Sequence, residues 1–153
     1  MSQEHPIKFR INDFQIEEFA VIPGVEPVGK TFDITVGIQW LQGAKPRVVG
    51  NRTEITFSTL EKQPMVVLKV DGTFIIDSES WAKLYDKNRG VCLLPKMVAE
   101  HLAVITVGVA RGILVAKLQN QKSRLSELVL PAIDVRDFIP GDIQLESRIS
   151  EEE

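Results

Sequence analysis

The sequence predicts an α+β domain in which a four-stranded antiparallel meander sheet is packed by a long C-terminal helix. Four segments between residues 7 and 76 alternate apolar and polar side chains with the period of two expected for strands. The connections between them are short and rich in turn residues, which favours antiparallel neighbours. A long apolar segment then follows a proline. The 153 residues are sufficient for one domain with a substantial core.

The first two predicted strands differ in regularity. Residues 7–11, IKFRI, place their apolar side chains on one face, and the phase then slips near Asn12–Asp13. Because Phe14 and Ile16 continue the alternation after the slip, we expect a bulge within one long strand. Residues 31–40, TFDITVGIQW, alternate without interruption and predict the most regular strand.

The third and fourth strands are predicted over residues 52–60, RTEITFSTL, and 65–76, MVVLKVDGTFII. Gly72 interrupts the alternation of the fourth strand. A glycine inside a strand often marks a bulge or a tight bend. We therefore expect Gly72 to relieve a bend where this strand leaves the sheet.

Helical spacing begins after Ile76, in residues 77–87, DSESWAKLYDK. Asp77 or Ser78 is a suitable N-cap, and Glu79 favours the positive end of the helix dipole. The large residues Trp81, Leu84 and Tyr85 then recur at helical intervals. The segment GVCLL, residues 90–94, ends this helix.

Residues 101–112, HLAVITVGVARG, are compatible with a strand, a membrane segment or a helix. The β-branched residues favour a strand, whereas Pro95 is a typical first-turn residue and Gly112 a typical stop. The apolar run between His101 and Arg111 is shorter than the roughly 20 residues of a membrane span. The sizes of the side chains favour the helix. Large apolar residues and small residues each recur at helical spacing, so they would form two separate stripes along a helix. Residues 113–127 continue the apolar pattern, so extension or a restart of the helix stays open.

The two stripes of this helix predict different neighbours. The bulky stripe, which we expect to pack on the chain's own sheet, is Val98, Leu102, Ile105 and Val109. The small stripe, which we expect to contact another subunit because small residues let backbones approach closely, is Ala99, Ala103, Thr106 and Ala110. The alternative is that loops after Gly112 cover the second stripe within one chain.

Composition excludes several classes of function. With a formal net charge of -3 and no run of Lys or Arg, nucleic acid is not expected as a ligand. The N-terminal residues lack the apolar region of a signal peptide. Cys92 is the single cysteine, so no internal disulfide can form and a reducing compartment fits. We expect a cytoplasmic protein without membrane insertion.

Candidate catalytic residues are scarce. His5 lies near the N-terminus, and His101 is most simply a core or interface residue. Cys92 has no partner at metal-ligand spacing and is expected to be a small buried apolar residue. Asp134 and Asp137 flank Arg136 and suggest a solvated face. We therefore predict a protein that is not an enzyme and uses no metal or cofactor.

Three segments resemble one known family. Residues 68–76, LKVDGTFII, are similar to the fourth strand of the SecB export-chaperone family. Residues 93–112, LLPKMVAEHLAVITVGVARG, resemble the opening and the closing Arg-Gly of its long helix, and residues 128–135, LVLPAIDV, resemble the proline segment that follows. The order of these elements also matches over roughly residues 7–139, so the chain looks SecB-like.

The resemblance implies an ATP-independent holdase that binds unfolded or partly folded polypeptides in apolar grooves of a homotetramer, a dimer of dimers. The implied client-binding residues are large side chains of the crossover and of the sheet: Trp81, Leu84, Tyr85, Leu93, Leu94, Trp40, Phe57 and Met65. For each of them the alternative is an ordinary core position. A dedicated partner-binding protein, serving one antitoxin or secreted substrate, or a structural oligomer is the competing hypothesis.

The end of the chain departs from the family. We predict one domain over residues 1–145 and a charged, flexible tail over residues 146–153, ESRISEEE. This tail lacks the length and composition with which export chaperones engage the SecA motor. Contact with SecA, and a role in protein transport, therefore stay open.

Overall fold

A computed structural model describes residues 6–29, 31–42, 45–121 and 124–146. It confirms the predicted fold class, since a four-stranded antiparallel sheet carries one long helix. His5 and residues 147–153 lie outside the described residues. Glu146, which the sequence analysis assigned to the tail, is the last residue of a strand.

The large sheet consists of β1 (Phe9–Val21), β2 (Asp33–Gln42), β3 (Val48–Ser58) and β4 (Pro64–Ile76), in the order β1-β4-β3-β2. The last three strands form the predicted meander, but β1 lies beside β4 and not beside β2. The hairpin connections within the meander are short, whereas the connection from Ile22 to Phe32 is long enough to cross the end of the sheet. β1 and β2 are therefore the two edge strands.

The predicted slip of β1 is confirmed as a register shift between Ile11 and Asp13, and a second shift lies between Ile16 and Glu18. β4 carries no bulge at Gly72, which pairs directly with Phe14 and Asn51. The predicted reason for this glycine is therefore wrong. A Cβ atom at Gly72 would lie 2.6 Å from Oγ1 of Thr106, so the glycine is needed for close contact with the long helix.

The first helix, α1 (Ser78–Leu84), follows β4 and leads into a second, three-stranded sheet. This small sheet contains β5 (Tyr85–Asp86), β6 (Val91–Leu94) and β7 (Ile143–Glu146) in antiparallel order. The segment GVCLL thus provides β6. No sequence pattern predicts this sheet, because its strands are short and β7 comes from a distant part of the chain.

The long helix, α2 (Lys96–Leu118), begins after Pro95 as predicted and continues through Gly112. Two 3₁₀ turns, Arg124–Glu127 and Val135–Phe138, lie in the segment that returns toward β7. By length and composition α2 could cross a membrane, since its mean hydropathy is 1.7. A core helix has the same properties, and eight side chains of α2 are buried within the chain.

The side of α2 that faces the sheet is the small one. Ala99, Ala103, Thr106 and Ala110 have no exposed surface within the single chain, so the prediction that they contact another subunit is wrong. Of the bulky stripe, only Leu102 is fully buried. The physical reason is that β3 and β4 already supply bulky side chains, and only small ones fit between these and the helix backbone.

The contact between Gly72 and Thr106 leads to a first prediction. The variant Gly72→Val should lower the free energy of unfolding by about 1–3 kcal/mol, because the added atoms overlap Thr106 and the Phe14 ring. Gly37→Val is a matched control on β2, where an added Cβ meets nothing within 4 Å and the change should stay within about 0.5 kcal/mol. Urea denaturation measures both values, and equal stabilities would contradict the close contact.

Candidate functional site

Four of the eight predicted client-binding residues belong to the core. Phe57, Met65 and Leu94 have no exposed surface, and Leu84 has very little. Their side chains pack into the apolar cluster between the sheet and α2. The prediction that these four residues bind clients is therefore wrong, because a polypeptide could reach them only if the core opened.

The other four predicted residues, Trp81, Tyr85, Leu93 and Trp40, retain exposed surface. The rings of Trp81 and Tyr85 stack with their centroids 5.3 Å apart and their planes 12° apart. Tyr85 pairs with Cys92, so the next residue, Leu93, projects from the other face of the small sheet. Leu93 and Tyr85 thus do not share one surface. Client binding by these four residues stays a prediction.

A surface that the sequence analysis did not identify lies between β1 and α2. Even-numbered residues of β4 face α2, because Gly72 lies against Thr106. Ile11 pairs with Phe74, and Ile16 pairs with Val70, so both isoleucines are on the side of the sheet that α2 occupies. They are nevertheless 52% and 46% exposed. The helix therefore leaves these two positions of β1 uncovered.

One row of α2 side chains borders this surface along its length. The ring of His101 lies 5.3 Å from that of Phe9, near the beginning of β1. At the other end, Nζ of Lys117 lies 5.8 Å from the centre of the Phe19 ring. Between these contacts, which are about 24 Å apart along the helix, three half-buried apolar residues recur every four positions: Ile105, Val109 and Ile113.

We call this surface the β1–α2 groove. Its floor is the apolar face of β1 and its wall is the row on α2; its residues are Phe9, Ile11, Phe14, Ile16, Phe19, Ile105, Val109 and Ile113. All of them pack against the core or keep exposed surface beside it. The sequence of β1 alone does not distinguish these floor residues from core residues. They are exposed because β1 is an edge strand, and its position depends on pairing with the distant strand β4.

The opposite side of α2 is covered by the chain itself. Nε of Arg111 donates a hydrogen bond to the carbonyl oxygen of Leu130 at 3.4 Å, and its Nη2 donates to that of Pro131 at 2.9 Å. Val135 and Ile139 of the same returning segment are buried, and β7 contacts β2. On the β1 side, no comparable segment of the described chain covers Ile11 and Ile16, which stay about half exposed.

The candidate catalytic residues have other partners. The side chain of Arg136 donates hydrogen bonds to Asp134 from both Nε and Nη2, and these lower the pKa of this carboxyl to about 2. Burial raises the pKa of the Cys92 thiol to about 11, so the group is protonated at neutral pH. Among the described residues, no group of three His, Cys, Asp or Glu side chains could hold a metal ion.

No protein-family model matches the chain, and no curated protein matches it in sequence. Among solved structures, it is similar to a SecB-like chaperone of Mycobacterium tuberculosis in complex with a ChAD peptide from the HigA1 antitoxin. The identity is 12%, the TM-score is 0.49, and the match covers 82% of this chain and 90% of that chain. The function of this chain is therefore proposed from its own surfaces.

The burial of Cys92 leads to a second prediction. At pH 8 the native protein should react with a thiol-specific disulfide reagent at least about 100-fold more slowly than the urea-unfolded protein, because only the thiolate attacks and burial raises its pKa. The signal belongs to one residue, since the chain has a single cysteine. Comparable rates in the two states would contradict the buried, protonated thiol.

Proposed function

We propose that this protein is an ATP-independent holdase that binds non-native polypeptides in the β1–α2 groove. The observation that carries the proposal is the exposure of Ile11 and Ile16 on the helix-facing side of the sheet. Side chains at such positions normally lie under a second layer. A continuous apolar groove that is left open marks a surface for a partner.

Binding of this kind needs no catalytic residue. An extended apolar segment laid along the groove would remove client surface and groove surface from water together. At about 25 cal/mol per Å², burial of roughly 400 Å² corresponds to about 10 kcal/mol before the cost of ordering the client is subtracted. Because the gain depends on area and not on particular atoms, many apolar sequences would fit.

The outer face of α2 supports self-association as part of the proposal. Met97, Val104 and Val115 are exposed there, and Gly108 and Gly112 lie between them with open space around both. Glycines four residues apart let two helices approach closely. We propose that this face, and not the buried small stripe, contacts a second copy in a homotetramer built as a dimer of dimers.

The proposal places the protein in the cytoplasm, where its single thiol stays reduced. Contact with SecA is not part of the proposed function. A general holdase and a chaperone dedicated to one partner would use the same groove. They differ in how many unrelated unfolded proteins they protect.

The third prediction tests the groove directly. Ile16→Ser should weaken the suppression of aggregation by about fivefold, because a half-exposed apolar contact of roughly 1 kcal/mol is lost. Leu60→Ser is a matched control, since Leu60 is 60% exposed and lies outside the groove. Light scattering of several unrelated unfolding proteins at stoichiometric amounts gives the effect, and the midpoint of thermal unfolding reports stability.

Two results of this experiment would overturn the proposal. Equal loss of protection in the Ile16 and Leu60 variants would show that the groove is not the binding site. Absence of protection by the unaltered protein for every client would contradict the general holdase. Protection of one client alone would favour the dedicated chaperone.

The fourth prediction concerns assembly. Val104→Lys should lower the molar mass measured by light scattering at micromolar concentration, because it places a charge in the proposed contact between helices. Val129→Lys is the control, since Val129 is 61% exposed but lies outside α2, whereas Val104 is 54% exposed. A monomeric unaltered protein, or equal effects of the two variants, would contradict self-association through α2.

A further inference from the structure

The wall of the β1–α2 groove ends at a lysine. Residues at every fourth position of α2 form this wall, in the order His101, Ile105, Val109, Ile113 and Lys117. The middle three are half-buried apolar residues, and the two end residues are exposed. Because residues 101 to 117 of a helix rise about 24 Å, an extended segment of about seven residues covers the wall.

Lys117 differs from other exposed lysines in its position. Its Nζ lies 5.8 Å from the centre of the Phe19 ring, which belongs to the floor of the groove. A cation over an aromatic ring is attracted by the negative charge of the ring face. At the other end of the groove, the ring of His101 lies edge-on to that of Phe9, with ring centres 5.3 Å apart. The ammonium group of Lys117 is therefore held at the Phe19 end of the floor.

Two carboxylates of β1 lie on the face of the sheet away from α2. Asp13 pairs with Thr73 and Glu18 pairs with Lys69, at odd-numbered positions of β4, whereas the even-numbered positions face the helix. Glu18 is also the ion-pair partner of Lys69, with Oε1 4.0 Å from Nζ. These two carboxylates therefore point away from the groove.

The other carboxylate of β1, that of Glu17, lies on the same far face. The pKa of Arg52 is raised by its hydrogen bond with Asp71 and also by the charge of Glu17, and Arg52 pairs with Asp71 at an odd-numbered position of β4. On α2, the carboxylate of Glu100 lies 3.8 Å from Nζ of Lys96, one turn back along the helix. The residues that form the floor and the wall of the groove thus include a cation but no carboxylate.

Length and charge together define the segment that fits this groove. The apolar stretch between the two ends accommodates apolar side chains of a bound polypeptide. A carboxylate at the end of that stretch would meet the ammonium group of Lys117, whereas a second cation at the same place would be repelled. Complementary charge of this kind selects one partner over another more than it adds affinity.

We propose that the β1–α2 groove selects extended apolar segments of about seven residues that are bounded by an aspartate or a glutamate, whose carboxylate pairs with Nζ of Lys117. The inference rests on the proposed function, since it names the kind of segment that the groove binds. Because the pair lies at an exposed end of the groove, it should change the affinity by about threefold, as is typical of an exposed ion pair.

Three synthetic peptides with the same apolar stretch test the preference for charge: GEVTISVTVEG, GQVTISVTVQG and GKVTISVTVKG. Fluorescence anisotropy of the labelled peptides with the full chain at low salt gives their dissociation constants. The glutamate peptide should bind about threefold more tightly than the glutamine peptide, and the lysine peptide about threefold more weakly. A high salt concentration should remove both differences, because exposed charges are then screened.

Two substitutions assign the preference to one side chain. In Lys117→Gln the glutamate and glutamine peptides should bind equally, because the ammonium group is absent. Lys83→Gln is the matched control, since Lys83 is an exposed cation on α1 outside the groove, and this variant should keep the threefold difference. Ile16→Ser should weaken all three peptides by the same factor, because it removes an apolar contact of the floor and no charge.

The outcomes separate this inference from the proposed function. Equal affinities of the three peptides, together with weaker binding in Ile16→Ser, would overturn the preference for acidic segments and leave the groove as the binding site. A preference that persists in Lys117→Gln would also overturn the inference. Absence of binding by all three peptides would overturn it as well, and the aggregation experiment on Ile16→Ser then decides on the groove itself.

Discussion

The close approach of α2 to the centre of the sheet is the constraint on which the rest of the structure depends. Ala99, Ala103 and Ala110 present only methyl groups to β3 and β4, and Gly72 has no side chain where Thr106 is closest. Oγ1 of Thr106 donates a hydrogen bond of 2.6 Å to Oδ1 of Asn51. Since an unpaired polar group in this buried layer would cost about 1–3 kcal/mol, this contact also sets the position of the helix along the strands.

A helix held over the two central strands cannot also cover the edges. Four strands about 4.8 Å apart are wider than a single helix of roughly 10 Å diameter. On the β2 side, the returning segment with Leu128, Leu130 and Ile139 fills the remaining space. On the β1 side the described chain provides no such cover over Ile11 and Ile16. The β1–α2 groove is thus open because the returning segment, about 20 residues long, packs on the β2 side of α2 and not on the β1 side.

Local patterns predicted most elements, whereas the arrangement depended on distant pairings. Alternation identified all four long strands, and side-chain size identified α2 as a helix. The prediction that the small stripe of α2 contacts another subunit is wrong, because this stripe packs on the sheet. The sheet supplies the large side chains that the stripe lacks, at positions such as Leu68 and Phe74. The edge position of β1, the pairing of β6 with β7 and the groove follow from contacts between residues far apart in sequence, which no local period encodes.

The groove and the outer face of α2 are neighbouring surfaces of one helix. Val104 and Gly108 belong to the outer face, and the residues that follow them, Ile105 and Val109, form the wall of the groove. Successive helical residues are about 100° apart, so the two surfaces meet along this edge. A second copy bound to the outer face would extend the wall without occupying the floor, which β1 provides. In the proposed function, assembly therefore deepens the groove, and self-association and polypeptide binding use the same helix without competing for it.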